Sequence, residues 1–271
     1  MNQFSNKTSS NKGFTLIELS IVLVIIGLIV GGVLVGQDLI KAAELRATVS
    51  QKESYDSAVN TFRLKFNGLP GDIVKYANFT GTLTTTGLTG ANGFGDGDTL
   101  IEGIAGAGTD NFGFVGEAKL FWRHLADVDL IGDDISGVTT GAAATHAVSG
   151  STFVPEGKMG KGTYFHIASS VGRNYFTLSG ITTIATATSM NVVSSDVISP
   201  NEAFQLDTKF DDGVPITGVV RSIASVTTLG TAPGGGAATG NCYDTDTDLY
   251  ATATASEGDA LTCVLRIRAS F

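Results

Sequence analysis

The sequence predicts an α+β fold in which a long N-terminal α-helix, the stalk, packs on a C-terminal antiparallel β-sheet head. Three observations predict it. First, an apolar run extends from Phe14 to Gly36 and is broken by a single charge, Glu18. Second, residues 37–66 contain neither Gly nor Pro, and Ile40, Ala43, Ala47, Tyr55, Val59, Phe62 and Phe66 return at helical steps. Third, Leu261, Cys263, Leu265 and Ile267 alternate with Thr262, Val264, Arg266 and Arg268, the pattern of a half-buried strand.

The apolar run is 23 residues long. At helical rise it covers roughly 33 Å, enough to cross a bilayer. It is too long for the apolar core of an ordinary secretory signal, and no small-residue cleavage site follows it. A helix over 14–66 measures roughly 80 Å, so its second, amphipathic half must pack against protein. Asn67-Gly68 and Pro70 stop it. The organisation expected is therefore residues 1–13 as a polar leader, 14–36 as the apolar half of the stalk, 37–67 as its amphipathic half, and 68–271 as the head.

Within the head, residues 81–116 are rich in Thr and Gly and read as a long loop. Phe121, Leu125 and Val128 share a face of a short helix over 117–131, with Gly132 as its stop. Residues 139–151 read as loop, and 163–169 and 174–179 as strands. Ser199-Pro200-Asn201-Glu202 is a capping box that opens a helix reaching about Lys209. Asp211-Asp212-Gly213 is a turn, 218–225 a strand, and 227–240 a glycine-rich connection. No internal repeat is present.

The chain has 271 residues, 16 % of them charged, with 35 glycines and a net charge of −9. This composition suits a loop-rich exported domain rather than a disordered chain. The acidic balance argues against general nucleic-acid binding.

Gly13-Phe14-Thr15-Leu16-Ile17-Glu18 follows a leader that carries Lys7 and Lys12 and no acid. A carboxylate inside a membrane-length apolar helix is expensive and marks function. This arrangement resembles the prepilin signal of type IV pilins and type II secretion pseudopilins. The resemblance covers residues 1–36 closely, weakens toward Pro70, and is only architectural beyond. It implies a pilin-like ladle fold and cleavage after Gly13 by prepilin peptidase. It implies N-methylation of the new terminus at Phe14, and pairing of Glu18 with the terminal amine of a neighbouring subunit. A carboxylate buried in apolar surroundings needs such a cation, and the segment supplies none.

Gly27, Gly31, Gly32 and Gly36 fit the small-residue spacing for close helix packing, or the plain glycine enrichment of membrane helices. Many pilins carry a proline in this segment, whereas this chain has none before Pro70. The basic leader sets the head on the periplasmic side by the positive-inside rule.

The expectation is thus a structural subunit. It inserts in the bacterial inner membrane, meets the inner-membrane assembly platform, and self-assembles with like subunits and other pilins into a filament for adhesion, motility, DNA uptake or secretion. A type II secretion pseudopilin and a non-polymerising membrane-anchored adhesin are the alternatives.

In an exported chain the two cysteines, Cys242 and Cys263, read as a disulfide, and many pilins tie a C-terminal loop this way. Two reduced core thiols are the alternative. No enzymatic motif is present. Residues 156–163 fail the phosphate-loop pattern because Gly162 stands where Ser or Thr is required. His124, His146 and His166 lack ligand spacing and read as ordinary surface or partly buried residues. No cofactor is expected, with calcium as the one candidate. Asp244, Asp246 and Asp248 alternate in the cysteine-closed loop, Asp207, Asp211 and Asp212 cluster near a turn, and Asp96 and Asp98 sit in a glycine-rich loop. Some pseudopilins bind calcium in C-terminal loops. None of the three groups matches an EF-hand, and solvated acidic loops are the alternative. Asn78-Phe79-Thr80 is a formal glycosylation acceptor.

Overall fold

The computed structural model describes residues 13–73, 95–101, 116–137, 146–147, 152–170, 172–181, 183–185, 189–191, 197–224, 242–244, 247–252 and 263–271. Most of the leader, most of the 81–116 and 139–151 loops, the 227–240 connection, Asn78 and Asp246 lie outside them. The chain divides into two compact units, Met1–Ala43 and Glu44–Phe271. The first holds the start of helix α1 (Leu16–Phe66). There every large apolar side chain from Phe14 to Ile40 is at least 50 % exposed.

The second unit begins on the same helix. From Leu45 onward α1 buries Leu45, Thr48, Tyr55, Val59 and Phe62 at helical spacing, and these open the core. Helix α2 (Gly116–Asp127) adds Phe121, Trp122 and Leu125. It stops short of the expected residue 131 because Asp129 takes a left-handed φ of 57° and the Leu130 N–H turns back to Leu125 O at 3.0 Å.

Strands β2 (Thr163–Ser170), β3 (Arg173–Gly180), β9 (Cys263–Arg268) and β6 (Val220–Ala224) form an antiparallel sheet in the order β2-β3-β9-β6. β6 begins two residues later than expected, since Gly218 sits at φ +71° and cannot extend the strand. A three-stranded sheet joins β1 (His146–Ala147), β4 (Thr183–Ala185) and β5 (Ser189–Asn191). β7 (Tyr243–Asp244) and β8 (Leu249–Tyr250) form a small hairpin. These short strands, β1 among them in the expected 139–151 loop, carry too few residues to show a period.

One face of the four-stranded sheet meets the helices. Tyr55 of α1 stands edge-on to Trp122 at 4.8 Å and to Phe165 of β2 at 5.5 Å, and Phe176 of β3 lies 5.8 Å from Trp122. Such aromatic pairs contribute beyond their buried area. Polar clips fix the register. The Gln51 side chain donates to Glu156 O and accepts from Lys158 N, both at 2.8 Å, and Ser270 N donates to Asp56 at 3.1 Å. The turn after α1 uses Gly71 at φ +86°, where a side chain would strike the Glu117 backbone.

Helix α3 (Pro200–Phe210) starts on the expected capping box. Glu202 N donates to the Ser199 hydroxyl, and Ser199 N donates to Glu202 at 3.0 Å. Glu202 also pairs with Lys161 of the 156–163 turn. α3 lies against β6, β8 and β9. The expectation of a half-buried β9 fails, because Val264 and Arg266 are only 3 % exposed and both faces of the strand are covered. An arginine in an alternating strand reads from sequence as solvent-facing, and here it is not.

Candidate functional site

At the N-terminal end, Thr15 and Glu18 build a capping box. Thr15 N donates to Glu18 Oε2 at 2.8 Å, the Thr15 hydroxyl donates to the same oxygen at 2.7 Å, and Glu18 N approaches the Thr15 hydroxyl at 3.4 Å. The acid thus satisfies the first turn of α1. The sequence carries this signal as Thr-x-x-Glu before an apolar run. Phe14 is 82 % exposed. Around Gly13, Gly27, Gly31, Gly32 and Gly36 an added Cβ would meet nothing within 4 Å apart from the adjoining residues and the local helix backbone.

Among the described residues α1 contains the stretch long and apolar enough to cross a membrane, and none of that stretch is buried within the chain. A continuous apolar surface of this extent requires lipid or protein against it.

In the head, Cys242 and Cys263 are joined by a disulfide with Cα atoms 4.8 Å apart and 21 residues between them in sequence. It ties the start of β9 to the start of β7.

The structure brings acidic groups together in two places. Asp207, Asp211 and Asp212 offer oxygens within 4.8 Å of one another at the end of α3. Asp207 is fully buried and accepts from the Tyr250 hydroxyl at 2.8 Å and from Gly213 N at 3.2 Å. Burial, then its hydrogen bond with Asp211, pushes its carboxyl up to about 8. Burial also works upward on Asp211. Its hydrogen bonds with Asp207 and with the Val219 and neighbouring backbone N–H groups outweigh that and hold it below the usual range. The two share one proton at neutral pH.

The second group is Asp72, Asp96 and Glu117. Asp72 accepts from Gly97 N at 2.5 Å and Thr99 N at 2.8 Å, and Glu117 accepts from Asp96 N at 3.1 Å. Desolvation lifts Asp72 to about 6 despite those bonds. In sequence Asp96 stands beside Asp98 in a glycine-rich stretch. Asp98 instead accepts from Leu100 N at 2.8 Å, and the buried partners come from residues 72 and 117, too distant in sequence to be read together. Asp244 and Asp248 are exposed at the β7–β8 turn, where Asp248 N donates to Asp244 O at 2.9 Å. With Asp246 undescribed, this trio has no geometry to judge. In both assembled groups the acids are held by internal hydrogen bonds.

His124 and His166 differ from their expected surface or partly buried roles, and the side chain of His146 lies outside the described residues. His124 is buried and accepts from Gly71 N at 2.9 Å. His166 is buried on β2.

Residues 8–34 match a family model described as the prokaryotic N-terminal methylation motif. The match lies within the N-terminal unit and ends before the core begins. No curated protein and no solved structure matches the chain.

Proposed function

We infer from the N-terminal methylation motif, the signature of type IV pilins and pseudopilins, that this chain is the precursor of a filament subunit. The motif implies processing by prepilin peptidase and assembly with other pilin-type subunits, and the apolar start of α1 fits a membrane-anchored precursor. The observation that carries the reading is a coincidence of position. Residues 8–34 hold both the motif and the start of the helix whose apolar side chains this chain leaves uncovered.

The finer steps of the proposal are these. Cleavage after Gly13 exposes the Phe14 amine, which is methylated. The segment 14–36 waits in the inner membrane with the head in the periplasm, and the assembly platform moves it into a filament. Lipid contacts are then exchanged for helix contacts, with the glycines allowing close approach. Glu18 pairs with the amine of an adjacent subunit. Both Thr15 bonds use Oε2, so Oε1 remains for that partner. No catalytic group or cofactor enters this role.

Intact mass of the membrane fraction tests it. The wild-type chain is expected to begin at methylated Phe14, Gly13→Ala to keep its leader, and Glu18→Ala to be cleaved yet absent from sheared filaments. Wild-type material that still begins at Met1 would overturn the reading. Normal filament yield from Glu18→Ala would remove only the pairing step.

A further inference from the structure

At one end of the four-stranded sheet a cavity of about 360 Å³ lies between three pieces of chain. Thr99 and Leu100 form one wall, Arg173 and Asn174 at the start of β3 a second, and Arg268, Ala269 and Phe271 at the end of β9 a third. The walls are held by bonds of their own. The Asn174 side chain accepts from Ile101 N and donates to Thr99 O, both at 2.8 Å, and Ser169 N donates to Ile101 O at 2.9 Å. Ala269 N donates to Asn174 O at 3.0 Å, Arg268 N donates to Val219 O at 2.8 Å, and the Phe271 ring lies against Phe121 and Phe176. Walls fixed before a ligand arrives lose little freedom when it binds.

Strand register puts the two arginines on one face. Arg268 stands directly opposite Tyr175, and Arg173 lies two residues along β3 from Tyr175. Such diagonal neighbours have Cβ atoms about 7–8 Å apart, within mutual reach of long side chains. Arg173 is exposed and Arg268 partly exposed, so solvent reaches both. Acids outnumber bases in this chain, 26 to 17, yet neither guanidinium makes a hydrogen bond or an ion pair with any described residue. The rest of the lining includes the half-buried Leu100, Ala269 and Phe271.

Two free cationic forks and an apolar wall thus share a cavity of the size that takes a small organic ligand. We propose that Arg173 and Arg268 bind a small organic dicarboxylate. Each guanidinium takes one carboxylate through paired N–H donors, and Leu100, Ala269 and Phe271 contact the carbon chain. Two carboxylates separated by a short carbon chain match arginines rooted about 7–8 Å apart. An inorganic oxyanion would meet the same charges but leave most of the cavity unfilled and the apolar wall without a partner. The site uses no residue of the processing signal at the other end of the chain.

Calorimetric titration of the full chain in non-ionic detergent micelles tests this, with succinate, glutarate, acetate and sulfate as probes at equal ionic strength. Succinate or glutarate is expected to bind saturably at about one per chain, as for a single site. Acetate and sulfate should bind at least tenfold more weakly. Arg173→Gln and Arg268→Gln each remove a cation that makes no hydrogen bond or ion pair within the described chain. Each should keep the wild-type unfolding midpoint by circular dichroism and weaken dicarboxylate binding by about tenfold or more, as for loss of a charge-assisted hydrogen-bonding partner. Arg46→Gln makes the same charge change on the exposed side of α1 and should bind like wild type. The absence of saturable binding by either dicarboxylate would overturn the proposal. So would undiminished binding in Arg173→Gln or Arg268→Gln, an equal loss in Arg46→Gln, or sulfate binding as tight as that of the dicarboxylates.

Discussion

Asp207 shows how far the surroundings of one side chain can move its chemistry. Its carboxyl loses a proton near 3.8 in an unfolded chain but holds it up to about 8 in the folded one. Between those values the folded state binds the extra proton, so its stabilising effect is complete at low pH and is lost as pH rises toward 8. Asp72, raised to about 6, acts in the same sense over the lower part of that range. His166, depressed from 6.5, acts in the opposite sense below 6.5. The decline from about pH 6.5 to 8 therefore belongs to Asp207 among these three. Asp207→Asn keeps a neutral donor toward Asp211 and an acceptor for Tyr250, and is expected to flatten that part of a urea-unfolding profile measured against pH. An unchanged slope would exclude the shared proton. None of this was legible in the sequence, where three nearby aspartates read as a cation site or a wet loop. The burial that raises Asp207 comes from tertiary packing, and its partner Tyr250 stands 43 residues away in sequence.

At the scale of elements, whatever rests on local signals could be read. α1 and its stop at Asn67, the capped α3, and strands β2, β3 and β9 follow from period, caps and alternation. What depends on long-range pairing could not. Strand β9 enters the sheet between β3 and β6, and its polar side is covered although its arginines suggest water. The Cys242–Cys263 bond adds a covalent constraint at the start of that central strand. Closing a loop of this length restricts the unfolded chain by about 3 kcal/mol in the chain-entropy model. Cys242→Ser is expected to lower the unfolding free energy by about that amount, read from denaturant midpoints with and without reductant. Equal midpoints for wild type and variant under oxidising conditions would mean that the sheet alone fixes β9.

For the whole molecule, the division after Ala43 leaves the exposed apolar side chains of residues 14–40 in one unit and the buried core in the other. Among the described residues the buried core starts at Leu45. A chain beginning at Glu44 is therefore expected to be soluble without detergent and to unfold in one cooperative transition. Aggregation of that fragment would show that the core needs the preceding turns. The apolar run to Gly36 was legible because an apolar stretch with one acid has few stable environments, whereas the division after Ala43 falls inside the amphipathic half expected over 37–67. The alignment of His166 of β2 with Thr177 of β3 and Arg266 of β9 was not readable, since it depends on strand pairing across distant parts of the sequence.

The bond pattern at Thr15 has a consequence for how copies of the chain would meet. A single oxygen of Glu18 locks the opening turn of α1. If Glu18 pairs with a neighbour's amine as proposed, that amine would dock on the other oxygen without unravelling any backbone, onto a prefolded post.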